Sequence, residues 1–296
     1  MFDEFKNAFQ RHNNAHIQLI IINVIVFVVM SIIGVVSELG GFQSFYEAIH
    51  NQFAIPARIE SFITHPWTIL TYAFAHAGVW HILSNMLALY WFGRLFVEYL
   101  GSDKLIAVYF LGAVAGGLLY LLAFNTVPYF VNQSNAVIIS MVGASAAVNA
   151  IIVAAATLLP EYTFFLLLIG PVKIKYIAAV TVFLSFLGTV GGNAGGNIAH
   201  LGGALMGFVY IKQLQSGFNW GAWITATIDW FKNLFTAKPK VKVTYRNTET
   251  AAPKKASTKS SVSQDEIDVI LDKISDGGYE SLTKVEKEKL FNASKK

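Results

Sequence analysis

Ser145, in the run GASAAVNA at 143–150, and His200, in NIAHLGGALMG at 197–207, are polar side chains inside two of the most apolar stretches of the chain. An alcohol and an imidazole make a nucleophile and its base: the imidazole takes the hydroxyl proton as the oxygen attacks an acyl carbon. His200 is the only histidine in the second half of the sequence. Two further polar residues, His81 and Asn85 in HILSNMLALYWFG, stand four apart. They share one helix face, from which both can donate hydrogen bonds to a developing oxyanion. A helix starting near Gly143 would put Ser145 at its N-terminus, where unpaired N–H groups and the positive dipole end favour the same charge.

Taken singly, each of these residues has a plainer use. A serine in an apolar helix usually bonds its own backbone or lets a neighbouring helix approach, and a lone His or Asn is more often an interhelical partner than a catalyst. What the rest of the sequence excludes narrows the chemistry. There is no Asp or Glu from 104 to 160 or from 162 to 228, so the carboxylate of a serine triad is missing. The pair is then a Ser–His dyad, its imidazole oriented by packing or by neutral hydrogen bonds. Cysteine is absent, which excludes disulfides and thiolate metal sites. With no HExxH and no pair of aspartates in the apolar runs, no metal is called for. No organic cofactor and no nucleic acid is implied either. Gly143 allows a tight turn, and Gly203 with Gly207, like Gly112 with Gly116, forms a GxxxG pair for close helix packing.

The elements that must position these side chains are membrane helices. Of 296 residues, 54% are hydrophobic and 14% charged, and the mean hydropathy is +0.51, the wrong mixture for two soluble domains. Six spans are predicted, at about 17–36, 79–100, 105–124, 137–159, 172–188 and 197–214. The polar start, Met1 to His16, has no cleavage site after it and is expected to be retained. Lys6, Arg11, Arg94, Lys104, Lys173, Lys175 and Lys212 fall on one side of this topology. Both termini are therefore expected in the cytoplasm. Spans two, four and six then run the same way, with His81, Asn85, Ser145 and His200 in their outer halves.

Flanking segments carry their own patterns. Phe42, Phe45, Tyr46, Ile49 and Phe53 form a stripe at helical spacing, which reads equally as a helix in the outer interface or as a cap on the bundle. Trp220, Trp223, Ile224, Ile228 and Phe231 make a second stripe, expected on the inner leaflet as an interfacial amphipathic helix over 215–236. Residues 237–263 are rich in Lys, Ser, Thr, Ala and Pro and read as a disordered basic linker. Over 264–296 a small cytoplasmic helical hairpin is expected. Capping-box spacing at Ser263–Glu266 and Thr283–Glu286 marks its two starts, and Gly277 and Gly278 end its first helix. Such a hairpin is too short to bury much core alone and calls for a partner.

Three separated motifs coincide in order: His81-x-x-x-Asn85, Gly143-x-Ser145 and Ala199-His200-x-x-Gly203-x-x-x-Gly207. On a six-span frame they resemble the rhomboid intramembrane serine proteases over about residues 17–214. The resemblance implies an all-α, polytopic six-helix membrane bundle with a cytoplasmic C-terminal tail. It further implies an endopeptidase that cuts transmembrane segments of other membrane proteins in the lipid bilayer. Ser145 would be the nucleophile, His200 the general base, and His81, Asn85 and the Ser145 N–H the oxyanion donors. Trp67 and His76 match residues of the family's first loop and its approach to the second span. The tail resembles soluble extensions of bacterial members, implying a multi-pass protein of a bacterial inner membrane.

Departures are Thr68 where many members carry arginine, Ala146 after the serine in place of glycine, and Asn149 where an aromatic often packs on the histidine. Asn149, one turn from Ser145, is a candidate to orient His200 itself. A rhomboid-like protein that escorts membrane clients without cutting is the alternative reading. A small-solute transporter is the other rival; the absence of acids at mid-membrane disfavours a proton-coupled carrier.

Overall fold

The computed structural model describes residues 13–136, 139–167, 169–235 and 264–293. The chain divides into two compact units, 1–238 and 239–296. Most of the N-terminal arm and the whole linker 237–263 lie outside the described residues.

In the first unit, α1 (Ala15–Gly40) is followed by the short α2 (Gln43–His50), the two-residue strand β1 (Ile55–Pro56), and the one- to two-turn helices α3 (Ile59–Thr64) and α4 (Thr68–Thr71). Then come α5 (Val79–Leu100), α6 (Ser102–Thr126), α7 (Pro128–Ala136) and β2 (Ser140–Met141). After α8 (Ser145–Leu158), the strands β3 (Thr163–Leu166) and β4 (Gly170–Lys173) lead to α9 (Ile174–Leu187), α10 (Ala194–Gln215) and α11 (Ala222–Phe235). Each of the six expected spans contains a helix. The fourth is the shortest against expectation, because the residues before Ser145 are extended rather than helical. At 14 residues and a rise of about 1.5 Å each, α8 is about 21 Å long, short of a bilayer core. By length and apolarity alone, α1 and α6 are able to cross a membrane, and α8 and α9 are shorter apolar helices.

Glycines and alanines set the packing of the central helices. A Cβ on Gly203 would run into the carbonyl oxygen of Ala146, and one on Gly207 into that of Ala150. Numbers rise together along the two helices, so α8 and α10 lie parallel, in a fixed register and nearly backbone to backbone. Gly116 faces Ala146 and the Ala199 carbonyl, whereas Gly112 faces Ala150, which makes α6 antiparallel to both. Small residues permit this approach, and dispersion then acts over the whole contact. Large apolar side chains point outward instead: Ile32, Val35 and Val36 on α1, Leu118 and Leu122 on α6, and Phe183 and Phe186 on α9 are exposed. A greasy exterior around a small-residue interior suits a bilayer and is unlike a monomeric soluble protein.

Two antiparallel strand pairs depart from an all-helical reading. Ile55 and Pro56 pair with Met141 and Ser140, tying the first loop to the approach to Ser145. The β3–β4 hairpin pairs Thr163 with Lys173 and Leu166 with Gly170. At its base Glu161 bonds both Lys173 and Lys175, and these two ammonium groups, Lys173 foremost, hold its carboxyl down at about 2. Of the two stripes, that on α2 leaves Phe42 and Phe45 exposed, with Tyr46 against Gly34 of α1. The second stripe, on α11, buries Ile224 and leaves Trp220 and Trp223 exposed.

In the second unit, α12 (Gln264–Gly277) and α13 (Lys284–Ala293) form the hairpin. Gly278, at φ 74°, terminates α12. The Thr283 capping box closes in both directions: the Thr283 N–H donates to Glu286 Oε2 at 2.7 Å, and the Glu286 N–H to Thr283 Oγ1 at 3.4 Å. Ser263, start of the other expected box, lies outside the described residues.

Candidate active site

Ser145 is the first residue of α8, half-buried, so its N–H is among those with no intrahelical acceptor. The turn before it is held from below and beside: the Gly143 N–H donates to the Tyr72 carbonyl at 2.9 Å, and the Ala144 N–H to His76 Nε2 at 3.5 Å. Gly143 has a φ of 138°, which L side chains rarely adopt. A Cβ there would lie 2.8 Å from His81 Nε2, and 3.5 Å from Ser145 Oγ. One hydrogen-sized gap therefore brings His81 and the serine hydroxyl to the same residue.

His81 enters from the first turn of α5. Its Nδ1 accepts the Ala77 N–H at 3.4 Å, which leaves Nε2 to carry the ring proton in the neutral imidazole. Nε2–H is thus a donor aimed at the space beside Gly143 and Ser145. His76 packs edge-on against it, ring centroids 5.1 Å apart. Asn85, buried one turn along, gives one amide hydrogen to the His81 carbonyl at 2.8 Å. The other hydrogen of that amide meets no acceptor among the described residues. Above this face opens a cavity of about 380 Å³ lined by His81, Tyr120, Ile139, Met141 and Asn193 among others.

His200 lies on α10 at a level fixed by the glycine register. Ala146 faces Gly203 and Ala150 faces Gly207, so Ser145 is level with Gly202, and His200 falls two residues from it, about 3 Å along the axis. The two catalytic candidates, 55 positions apart in sequence, therefore share one layer, with His81 in it.

How the imidazole is held differs from expectation. Asn149 donates from Nδ2 to the Ser145 carbonyl at 2.9 Å, and its buried Oδ1 meets no partner among the described residues. A side-chain amide one turn along its own helix finds that carbonyl first. His200 Nδ1 instead lies 3.2 Å from the hydroxyl of Ser185 on α9, a residue the sequence did not single out. The only signal for Ser185 was a hydroxyl in an apolar span, shared with every serine that merely bonds its own helix. A Cβ on Gly203 or Gly207 would meet the Ala146 or Ala150 carbonyl, and one on Gly143 the His81 ring.

The sequence matches the Rhomboid domain over residues 64–216. The chain belongs to the rhomboid family. Three relatives accord with this: RHOMBOID-like protein 12, mitochondrial, of Arabidopsis thaliana, 29% identical over 157 residues; Rhomboid protein 1, mitochondrial, of Saccharomyces cerevisiae, 30% over 161; and RHOMBOID-like protein 1 of Arabidopsis thaliana, 29% over 157. Each alignment covers 51% of this rhomboid and 47%, 42% and 36% of the respective relative. The chain thus spans less than half the length of each. Residues 256–296, which include the hairpin, match a separate family of unknown function. The matched segment 64–216 contains His81, Asn85, Ser145, Ser185 and His200, and membership of this family makes the chain a membrane protein.

Proposed function

We propose that this rhomboid is an intramembrane serine endopeptidase that cleaves transmembrane segments of other membrane proteins. The observation that carries the reading is the parallel, close-packed register of α8 and α10, which brings an alcohol and an imidazole into one layer beside an N–H donor. Ser145 Oγ attacks the scissile carbonyl carbon while His200 Nε2 takes its proton. The oxyanion is met by His81 Nε2–H, the free Asn85 amide hydrogen and the Ser145 N–H. His200 then gives the proton to the leaving amine as the C–N bond breaks. Water, deprotonated by His200, cleaves the acyl ester and restores the hydroxyl. Because a helix hides its carbonyls, a substrate must present an unwound stretch, so Gly, Pro or small residues are expected near the cut.

In this reading residues 17–214 form the membrane domain with both termini cytoplasmic. The tail hairpin, with Val269, Leu271, Val285 and Phe291 exposed, serves a protein partner. The membrane is the inner membrane of a bacterial cell, on the strength of that soluble tail; cell fractionation tests the placement.

The decisive experiment is cleavage of a reconstituted single-span substrate. Ser145→Ala and His200→Ala are each expected to lose activity by about 10³-fold or more, as members of one unit do. Equal cleavage by both and by wild type removes the assignment. A second reading, a rhomboid that binds membrane clients without cutting them, takes its support from Ser145 Oγ making no hydrogen bond among the described residues. Fluorophosphonate labelling abolished by Ser145→Ala excludes it.

A further inference from the structure

A 14-residue helix, α9, buries only Ile174, Ala178 and Ser185. Two of these are apolar; the third is a serine, 4% exposed, turned towards a histidine in a stretch, 162–228, that carries no acid. Its hydroxyl has two neighbours: the Thr181 carbonyl at 2.9 Å and His200 Nδ1 at 3.2 Å. A serine has a single proton to give. The Thr181 carbonyl can only accept, whereas His200 Nδ1 donates or accepts according to its tautomer; the one arrangement that satisfies both contacts at once sends the hydroxyl proton to Thr181 and leaves the oxygen to accept from Nδ1–H. The imidazole must then carry its own proton on Nδ1, which leaves the Nε2 lone pair bare. That is the tautomer a general base requires; the other one presents an N–H and accepts nothing.

The contact is built to persist. One turn past Ser185, the Gly188 carbonyl accepts from Asn197 Nδ2 at 2.8 Å, and the same amide reaches the Asn193 carbonyl at 2.9 Å. Asn197 precedes His200 by three residues on α10. The end of α9 is thereby fastened to the turn of α10 that bears the imidazole. His81, by contrast, is held as the Nε2–H tautomer by the Ala77 N–H. One layer thus holds two neutral imidazoles of opposite tautomer, an acceptor and a donor.

We infer that Ser185 is a positioning residue that holds His200 in the Nδ1–H tautomer, taking the place of the carboxylate that this dyad lacks. The inference rests on the reading of Ser145 and His200 as the catalytic pair. It is tested on the full chain with Ser185→Thr and Ser185→Val, which share one shape and differ only in the hydroxyl, alongside Ser145→Ala and His200→Ala. Two readouts are taken: kcat and KM on a reconstituted single-span substrate, and the ¹⁵N spectrum of histidine-labelled protein, with His200 assigned by its loss in His200→Ala.

Wild type and Ser185→Thr are expected to show His200 protonated on Nδ1. Ser185→Val is expected to lose about tenfold in kcat, the rate equivalent of one net hydrogen bond, at unchanged KM, with the proton redistributed towards Nε2. Equal losses in Thr and Val would mark the effect as packing and overturn the inference. So would a Val variant that keeps both the wild-type kcat and the Nδ1 proton while Ser145→Ala and His200→Ala are dead. Activity surviving in those last two would instead bring down the catalytic reading, and the inference with it.

Discussion

Gly143 meets two demands at one position, a φ of 138° and a face with no Cβ, 2.8 Å from His81 Nε2. An alanine there adopts an unfavourable backbone, at about 1–2 kcal/mol, and its methyl displaces the His81 ring. Gly143→Ala is therefore expected to lower kcat by about tenfold or more while the chain still folds, since the helices pack elsewhere; turnover and fluorophosphonate labelling rates check it. Both should fall, because in the proposed mechanism His81 donates to the charge formed at attack. At this scale the sequence marks the candidates that the fold gathers near one helix start. Ser145, His200, His81 and Asn85 stood out because polar groups are rare in apolar runs. Ser185 did not, since its contact with His200 depends on the rotation of α9 about its axis, and a serine that bonds its own helix at Thr181 looks the same in sequence whatever lies opposite. Asn149 makes its hydrogen bond four residues back on its own helix, to the Ser145 carbonyl, while the described contact to His200 Nδ1 comes from Ser185.

The helices were legible from their length and apolarity, and α5 spans the predicted 79–100. Strands of two to four residues were not, because a pair such as Ile55 with Met141 has no run long enough to show a period of two. The sequence offers the glycine pairs as packing devices, and their consequence needed the structure: the register that puts Ser145 and His200 in one layer. That register is open to test. A side chain at 203 meets the backbone of Ala146, which has no rotamer to yield, so Gly203→Leu should force α8 and α10 apart. Overpacking of this kind costs about 1–3 kcal/mol, occasionally more. The expected result is a lowered unfolding midpoint in detergent together with lost cleavage. Gly191→Ala, where nothing lies within 4 Å of the added carbon, should change neither.

Different forces hold each unit of the molecule together, and acid should act on them differently. The core cluster of the first unit runs from Ala15 to Ile224, and no Asp or Glu occurs from 104 to 160 or from 162 to 228. Lowering the pH therefore finds no carboxylate to protonate within α8, α9 or α10. The hairpin of the second unit has little buried beyond Ile270 and Leu282 and relies on charge. Glu286 accepts from the Thr283 N–H and pairs with Lys273 at 2.9 Å; Lys287 meets Glu280 at 3.1 Å, and Lys289 meets Glu266 at 3.2 Å. The Thr283 N–H above all, then Lys273 and the Thr283 hydroxyl, holds the Glu286 carboxyl down at about 2, against an ordinary 4.5. A carboxyl with a lowered folded-state pKa stabilises fully above its unfolded value and loses that contribution as the pH falls through the folded one. Between pH 4.5 and about 2, the amides of α13 should thus lose protection from hydrogen exchange while those of α8 and α10 keep theirs. In Glu286→Gln the same amides should already exchange faster at neutral pH and respond less to acid. An α13 whose protection is unchanged down to pH 2 in both proteins would mean that something other than this capping box and its ion pair holds the hairpin.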